Sequence, residues 1–244
     1  MQIHTKFSVF CDAYSSTPFK PKNTMSLTIT STYADWLSSL FDHDEAKGDW
    51  RFDFSQDHFE FTPEQVVDYL TQMFTHYDRD LAHYSDWQLA MGMDYIFNNS
   101  CSDYAFDLRD RPVAIEKRIA AILSLKIFFE QCYDKRCVPS LGHCSEKGNA
   151  LNIRCYMLWD TTPLSYCEGK PERIAIYEAV TEVMEFSLTL SNIACIESGL
   201  HGLGHMVSYY PEAAKIIDRN MHRFRKCDRR IMAYAQAAKT GCIL

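Results

Sequence analysis

The chain has 244 residues, 47% of them hydrophobic, which allows one large domain or two small ones with a substantial core. Its net charge of −7 argues against a general nucleic-acid binder, whose domain is normally basic. No uninterrupted apolar run is long enough to span a bilayer, so no membrane partner is expected. The N-terminus lacks the basic, apolar and small-residue succession of a signal peptide, so a cytosolic setting with its ten cysteines reduced is expected.

Residues 1–24 carry Pro18 and Pro21 in a polar stretch without periodicity and read as a loose N-terminal arm. Met25 offers an alternative start. A single helical domain is expected over 25–244, with an N-terminal part at 25–168 and a C-terminal helical array at 169–244.

Tyr33, Trp36, Leu37 and Leu40 have helical spacing behind a cap at Ser31 or Thr32. Residues 41–61 then mix acids with aromatic rings. Phe52/Phe54 and Phe59/Phe61 alternate with polar residues, as in a short β-hairpin near 50–61 or a loop anchored by its rings. Asp42, Asp44, Glu45 and Trp50 mark the candidate edge for a protein partner. A solvated loop is the plainer reading of the same residues.

Thr62-Pro63-Glu64-Gln65 is a helix start: a cap, a proline at the first position and an acid in the first turn. Val66, Leu70, Met73, Phe74, Tyr77 and Leu81 form its apolar stripe. Ser85 caps a helix that Asn98-Asn99-Ser100 ends; its methionines and aromatics read as core. Arg111-Pro112 opens a long helix to about Tyr133. Cys132, Cys137, His143 and Cys144 cluster around a loop marked by Pro139 and Gly142, but at spacings too irregular for a zinc motif. A shorter helix spans 149–159.

Lys170-Pro171-Glu172 begins the C-terminal array. Pro211 and Asp228 open two further helices, and Gly241 stops the last. The basic run His222 to Arg230 between them reads as a solvated connection near helix C-termini, with phosphate or an acidic partner as the alternative.

The stretch from Phe186 to Val207 holds one charged residue, Glu197. Ile193, Ile196, Leu200, Leu203 and Val207 form one seam. Ser191, Cys195, Ser198, Gly199 and Gly202 form a face of small residues that lets another helix backbone approach. Such a helix is buried nearly all round. Glu197, His201 and His205 stand at i, i+4 and i+8 and form its polar row. A hydrogen-bond ladder is the first explanation, because a buried carboxylate needs partners. Two histidines one turn apart with a carboxylate are also metal ligands by type, so Glu197, His201 and His205 are the candidate divalent-metal set. His76, Asp78, Asp80 and His83 have the right chemistry to complete it. Gly202 stands where a zincin helix has its catalytic glutamate.

The run from Ile196 to His205 resembles a segment of a group of uncharacterised bacterial helical proteins, with Gly199 where alanine is usual. The ending from Tyr234 to Leu244 is similar to theirs as well. The resemblance implies a helical-repeat fold and brings no activity.

The expected fold is therefore all-α: stacked antiparallel helices in a HEAT-like α-solenoid or an irregular helical array. With no P-loop, dinucleotide fingerprint or nucleophile elbow, the expected function is a non-enzymatic, cofactor-free protein–protein interaction. The alternative is a metal-dependent enzyme built on the Glu/His row.

Overall fold

A computed structural model describes residues 32–53, 61–110, 112–225 and 227–243. The expected arm at 1–24 and the centre of the expected hairpin, 54–60, lie outside the described residues. Among those described there is no β-strand, and residues 51–52 form a turn. The fold is an all-α helical array.

Its helices are α1 (Tyr33–Phe41), α2 (Pro63–Thr75), α3 (Tyr77–Asp80), α4 (Asp86–Phe97), α5 (Tyr104–Arg109) and α6 (Ile115–Phe128), followed by α7 (Asp134–Arg136), α8 (Ala150–Thr161), α9 (Arg173–Ser187), α10 (Ile193–Met206), α11 (Glu212–Phe224) and α12 (Arg229–Lys239). Several starts are built by short-range chemistry. Thr32 with Asp35, Thr62 with Gln65, Ser85 with Gln88 and Asn149 with Asn152 each close a reciprocal capping box. α6 begins at Ile115, later than Arg111-Pro112 suggests, because residues 112–113 form a bend. Its C-terminal end widens into a π-helical turn, Phe129–Tyr133, that leads into α7.

α9 and α10 run antiparallel, with Gly199 facing Ser187 while Tyr177 meets Tyr209, whereas helices in the same row run parallel. α2, α6 and α9 form one row: Lys117 reaches Glu64 at 2.7 Å while Phe74 meets Phe128 at 5.5 Å between ring centroids, and Lys126 pairs with Glu182. α4, α8, α10 and α12 form the other. Arg154 meets Asp94 at 2.7 Å, Cys155 Sγ lies 3.7 Å from the Ala194 carbonyl, and α12 continues the row beyond α10. Trp36, Phe74, Phe97, Phe128, Tyr133, Trp159 and Tyr177 are buried in the core that these rows enclose.

α10 is central to this array. Every residue from Ala194 to Gly204 is buried. Its N-terminus is pinned from α7: Asp134 accepts the Ser191 and Asn192 backbone N–H groups at 2.9 and 2.7 Å. Asn192 in turn accepts the Ala194 N–H at 3.0 Å and donates to the Cys137 carbonyl at 2.7 Å. The small-residue face works as the sequence suggests. A Cβ at Gly199 would lie 2.2 Å from Ser187 Oγ and 2.5 Å from the Met184 carbonyl oxygen, and one at Gly202 would lie 2.6 Å from Trp159. α9 and α8 therefore approach α10 closely enough to exclude a side chain there.

Candidate metal centre

α8 and α10 run side by side in the same direction, which carries their C-terminal ends to one place. Asp160 is in the last turn of α8, and His201 and His205 are one turn apart near the end of α10. The carboxylate bridges both rings. Asp160 Oδ2 lies 2.8 Å from His201 Nε2, and Oδ1 pairs with His205 Nε2. The two Nε2 atoms are 3.1 Å apart, with the rings nearly perpendicular at 89°. All three donor atoms fall within 4.8 Å of one another.

Protonation makes this arrangement informative. A carboxylate only accepts, so each Nε2 that bonds Asp160 must carry a hydrogen. The Asp160 oxygens take both hydrogens and hold the two nitrogens 3.1 Å apart. Replacing both hydrogens by one cation turns three converging lone pairs toward a single point. Ligands about 2.1 Å from a tetrahedral zinc ion stand about 3.4 Å apart, so the nitrogens need move outward only by tenths of an ångström.

The centre is buried on one side and open on the other: the His201 side chain is 2% exposed and that of His205 is 40% exposed. Burial pushes the Asp160 carboxyl up. The hydrogen bonds and charges of His201 and His205 outweigh burial and hold it at about 2, against an ordinary 3.8. Asp160 is therefore ionised, as a ligand must be.

Behind His201 lies a second layer of polar contacts. Its Nδ1 is 2.5 Å from the Tyr234 hydroxyl of α12, and Tyr156 of α8 packs against the imidazole at 4.3 Å. The Tyr156 and Tyr234 hydroxyls are 3.5 Å apart. Burial, followed by the Tyr156 hydrogen bond, raises Tyr234 well above the ordinary tyrosine value and keeps its hydroxyl protonated.

Glu197 belongs to a neighbouring assembly. Its buried carboxylate accepts the backbone N–H groups of Gly142 and His143 at 2.7 and 2.9 Å, and pairs with His143 Nδ1. It thereby fixes the 3₁₀ turn Gly142–Cys144 against α10. The His143 ring stacks on Tyr234 at 4.1 Å and 13°, which brings the two assemblies together.

The expected row of Glu197, His201 and His205 is thus divided. Four residues overshoot a helical turn by about 40°, so i and i+8 point about 80° apart, and Asp160 stands where Glu197 was expected. Nor does the region 76–83 complete the set: Asp80 accepts from Tyr33 at 2.7 Å and from Arg79. Asp160 and Tyr234 have no local signal that marks them, although Asp160 is the one acidic residue of α8. Cys132 and Cys137 are core residues, while Cys144 is exposed.

At the acidic edge, Asp42 ends α1 and accepts from Ser38, Asp44 caps the 3₁₀ turn Glu45–Lys47, and Glu45 is exposed. Trp50 stacks on His43 at 3.8 Å and packs against Tyr95. No helix among the described residues is long and apolar enough to cross a membrane. Comparison with protein-family models, curated proteins and solved structures finds no match to this chain.

Proposed function

We propose that this protein is a metal-dependent enzyme whose working centre is one divalent transition-metal ion, zinc foremost, held by Asp160, His201 Nε2 and His205 Nε2. The observation that carries the reading is the convergence of these three donors within 4.8 Å of one another, with the two imidazole nitrogens 3.1 Å apart. Mixed imidazole and carboxylate donors suit zinc. Three protein ligands would leave a fourth position for a tetrahedral ion, and the His205 side chain is 40% exposed. An ion held by these residues would supply an activated water near neutral pH, the chemistry of metal-assisted hydrolysis.

The test is the metal content of the purified protein, followed by titration of the chelator-stripped protein with Zn2+. One equivalent is expected to bind to the wild type. Asp160→Asn and His205→Ala should each lose tight binding while keeping the helical circular-dichroism spectrum. Equal binding by the wild type and both variants would overturn the assignment.

A protein-binding role is supported by the acidic edge at Asp42, Asp44 and Glu45, held in place by the Trp50–His43 stack. The two rows of parallel helices support a HEAT-like arrangement, a geometry that offers extended faces to partners. Both features are compatible with a metal centre at the far ends of α8 and α10.

A further inference from the structure

We infer that Tyr234 is the positioning residue of the metal centre: it sets the tautomer of His201, and metal binding reverses the direction of the hydrogen bond between them. This inference rests on the metal reading above.

In the metal-free centre, His201 Nε2 faces the Asp160 carboxylate at 2.8 Å and must donate to it. In the neutral ring Nδ1 then carries the lone pair. The Tyr234 hydroxyl, 2.5 Å away, is placed to donate to it. A metal ion on Nε2 requires the opposite tautomer. Nε2 gives up its hydrogen and offers its lone pair, and a neutral imidazole must then carry its hydrogen on Nδ1. The proton balance closes at the ring: Nε2 gives its hydrogen to water and Nδ1 takes one from water, so the imidazole stays neutral. Tyr234 keeps its own hydrogen throughout.

After the exchange, Nδ1–H donates and the Tyr234 oxygen accepts. The Tyr234 hydroxyl hydrogen therefore has to turn elsewhere. Tyr156 Oη, 3.5 Å from Tyr234 Oη, lies within reach as an acceptor. Stacking holds the Tyr234 ring in place. Tyr234 is stacked on His143, which Glu197 ties to α10, and its ring is within 6° of the His201 plane. A hydroxyl can both donate and accept, so tyrosine serves either tautomer without moving its ring. A backbone carbonyl or carboxylate in the same place would favour only the metal-bound tautomer. Outer partners of a ligating histidine fix ring orientation, and their loss typically weakens metal binding by about 10–100-fold.

The experiment uses the full chain, Zn2+ and 15N-labelled histidine, with the His201 signals assigned by the loss of resonances in His201→Gln. In metal-free wild type, His201 Nδ1 should show the shift of an unprotonated ring nitrogen. With one equivalent of Zn2+ it should show that of a protonated one. Tyr234→Phe should bind Zn2+ about 10–100-fold more weakly, as read by competition with a chromophoric chelator. Tyr156→Phe should weaken binding to a lesser degree and leave the exchange visible, which keeps the test open should Tyr234→Phe not fold. Wild type that binds no Zn2+ would overturn the metal reading itself. Wild type that binds Zn2+ with Nδ1 protonated both before and after, or a folded Tyr234→Phe of unchanged affinity, would overturn this inference alone.

Discussion

Glu197 and His201 lie one turn apart on α10, yet the Glu197 carboxylate closes on the Gly142 and His143 amides while the His201 ring turns to Asp160 and Tyr234. The two residues divide the labour of one buried helix face between holding a loop and building a donor set. Their separation yields a direct test. Glu197→Gln should bind Zn2+ within a few-fold of the wild type, because the carboxylate is not a ligand. It should nevertheless destabilise the fold by about 1–3 kcal/mol, the cost of weakening hydrogen bonds between a buried charged acceptor and its donors. Calorimetric unfolding alongside a Zn2+ titration separates the two effects. Loss of binding with unchanged stability would restore Glu197 to the ligand set.

The same pair shows where the sequence is legible and where it is not. Thr62 with Gln65, and Ser85 with Gln88, are three residues apart, so their capping boxes can be read from local order. The spacing of His201 and His205 is equally local. Asp160 and Tyr234 lie 41 and 33 residues from His201, and only tertiary packing brings them together. Glu197 misled for a geometric reason: a helical row drifts around the axis, and its nearest partner across the groove was a loop whose amide groups carry no side-chain signature.

Zinc should act as a stabilising ligand. An ion that binds only the folded state at about 100 times its dissociation constant adds about 2.7 kcal/mol. Unfolding of the wild type should therefore shift to higher temperature with Zn2+ and return on addition of a chelator, whereas Asp160→Asn should show no shift. Differential scanning fluorimetry on the two proteins decides it. A rise of equal size in both would place the stabilising ion elsewhere.

Acid should weaken the junction between α9 and α11. Glu185 accepts from Arg219 Nε at 2.7 Å and from Asn220 Nδ2 at 2.8 Å. The Arg219 hydrogen bond lowers its carboxyl below the ordinary 4.5 despite burial, with Asn220 and the charges of Arg219 and Arg223 adding to the effect. A folded value below the unfolded one means that Glu185 contributes stability above the unfolded value. That contribution is lost as pH falls through the lower, folded value. The stability gap between the wild type and Glu185→Gln should therefore be largest at neutral pH and should close in acid below 4.5. Denaturant midpoints for both proteins across that range check the sign; a gap that widened in acid would contradict it.

Thiol chemistry should sort the cysteines by burial. Burial pushes the Cys132 thiol up to about 12, and Cys155 is raised well above its usual value. Cys144 and Cys242 are exposed. Since the thiolate is the reacting form, iodoacetamide at neutral pH should label Cys144 and Cys242 within minutes and leave Cys132 and Cys155 unlabelled until the protein is unfolded. Peptide mass spectrometry reads the sites directly. Rapid labelling of Cys155 in the native protein would show that the α8–α10 interface opens on that timescale.

Gly199 offers a test of the close approach that places α10. In an exposed helix, replacing glycine by alanine favours the helix by about 1 kcal/mol. Here the added methyl would stand 2.5 Å from the Met184 carbonyl oxygen, a backbone atom of α9 that cannot rotate away as a side chain can. Ser187 Oγ, at 2.2 Å, already donates to that same carbonyl and would have to leave it. Overpacking of this kind costs about 1–3 kcal/mol, so the net effect of Gly199→Ala should be destabilising. Because α9 can yield only by moving off α10, and His201 and His205 lie on the same helix, Zn2+ affinity should fall with stability. Chemical denaturation and a Zn2+ titration of Gly199→Ala measure both. A stabilised variant would mean that the helices stand further apart than this packing requires.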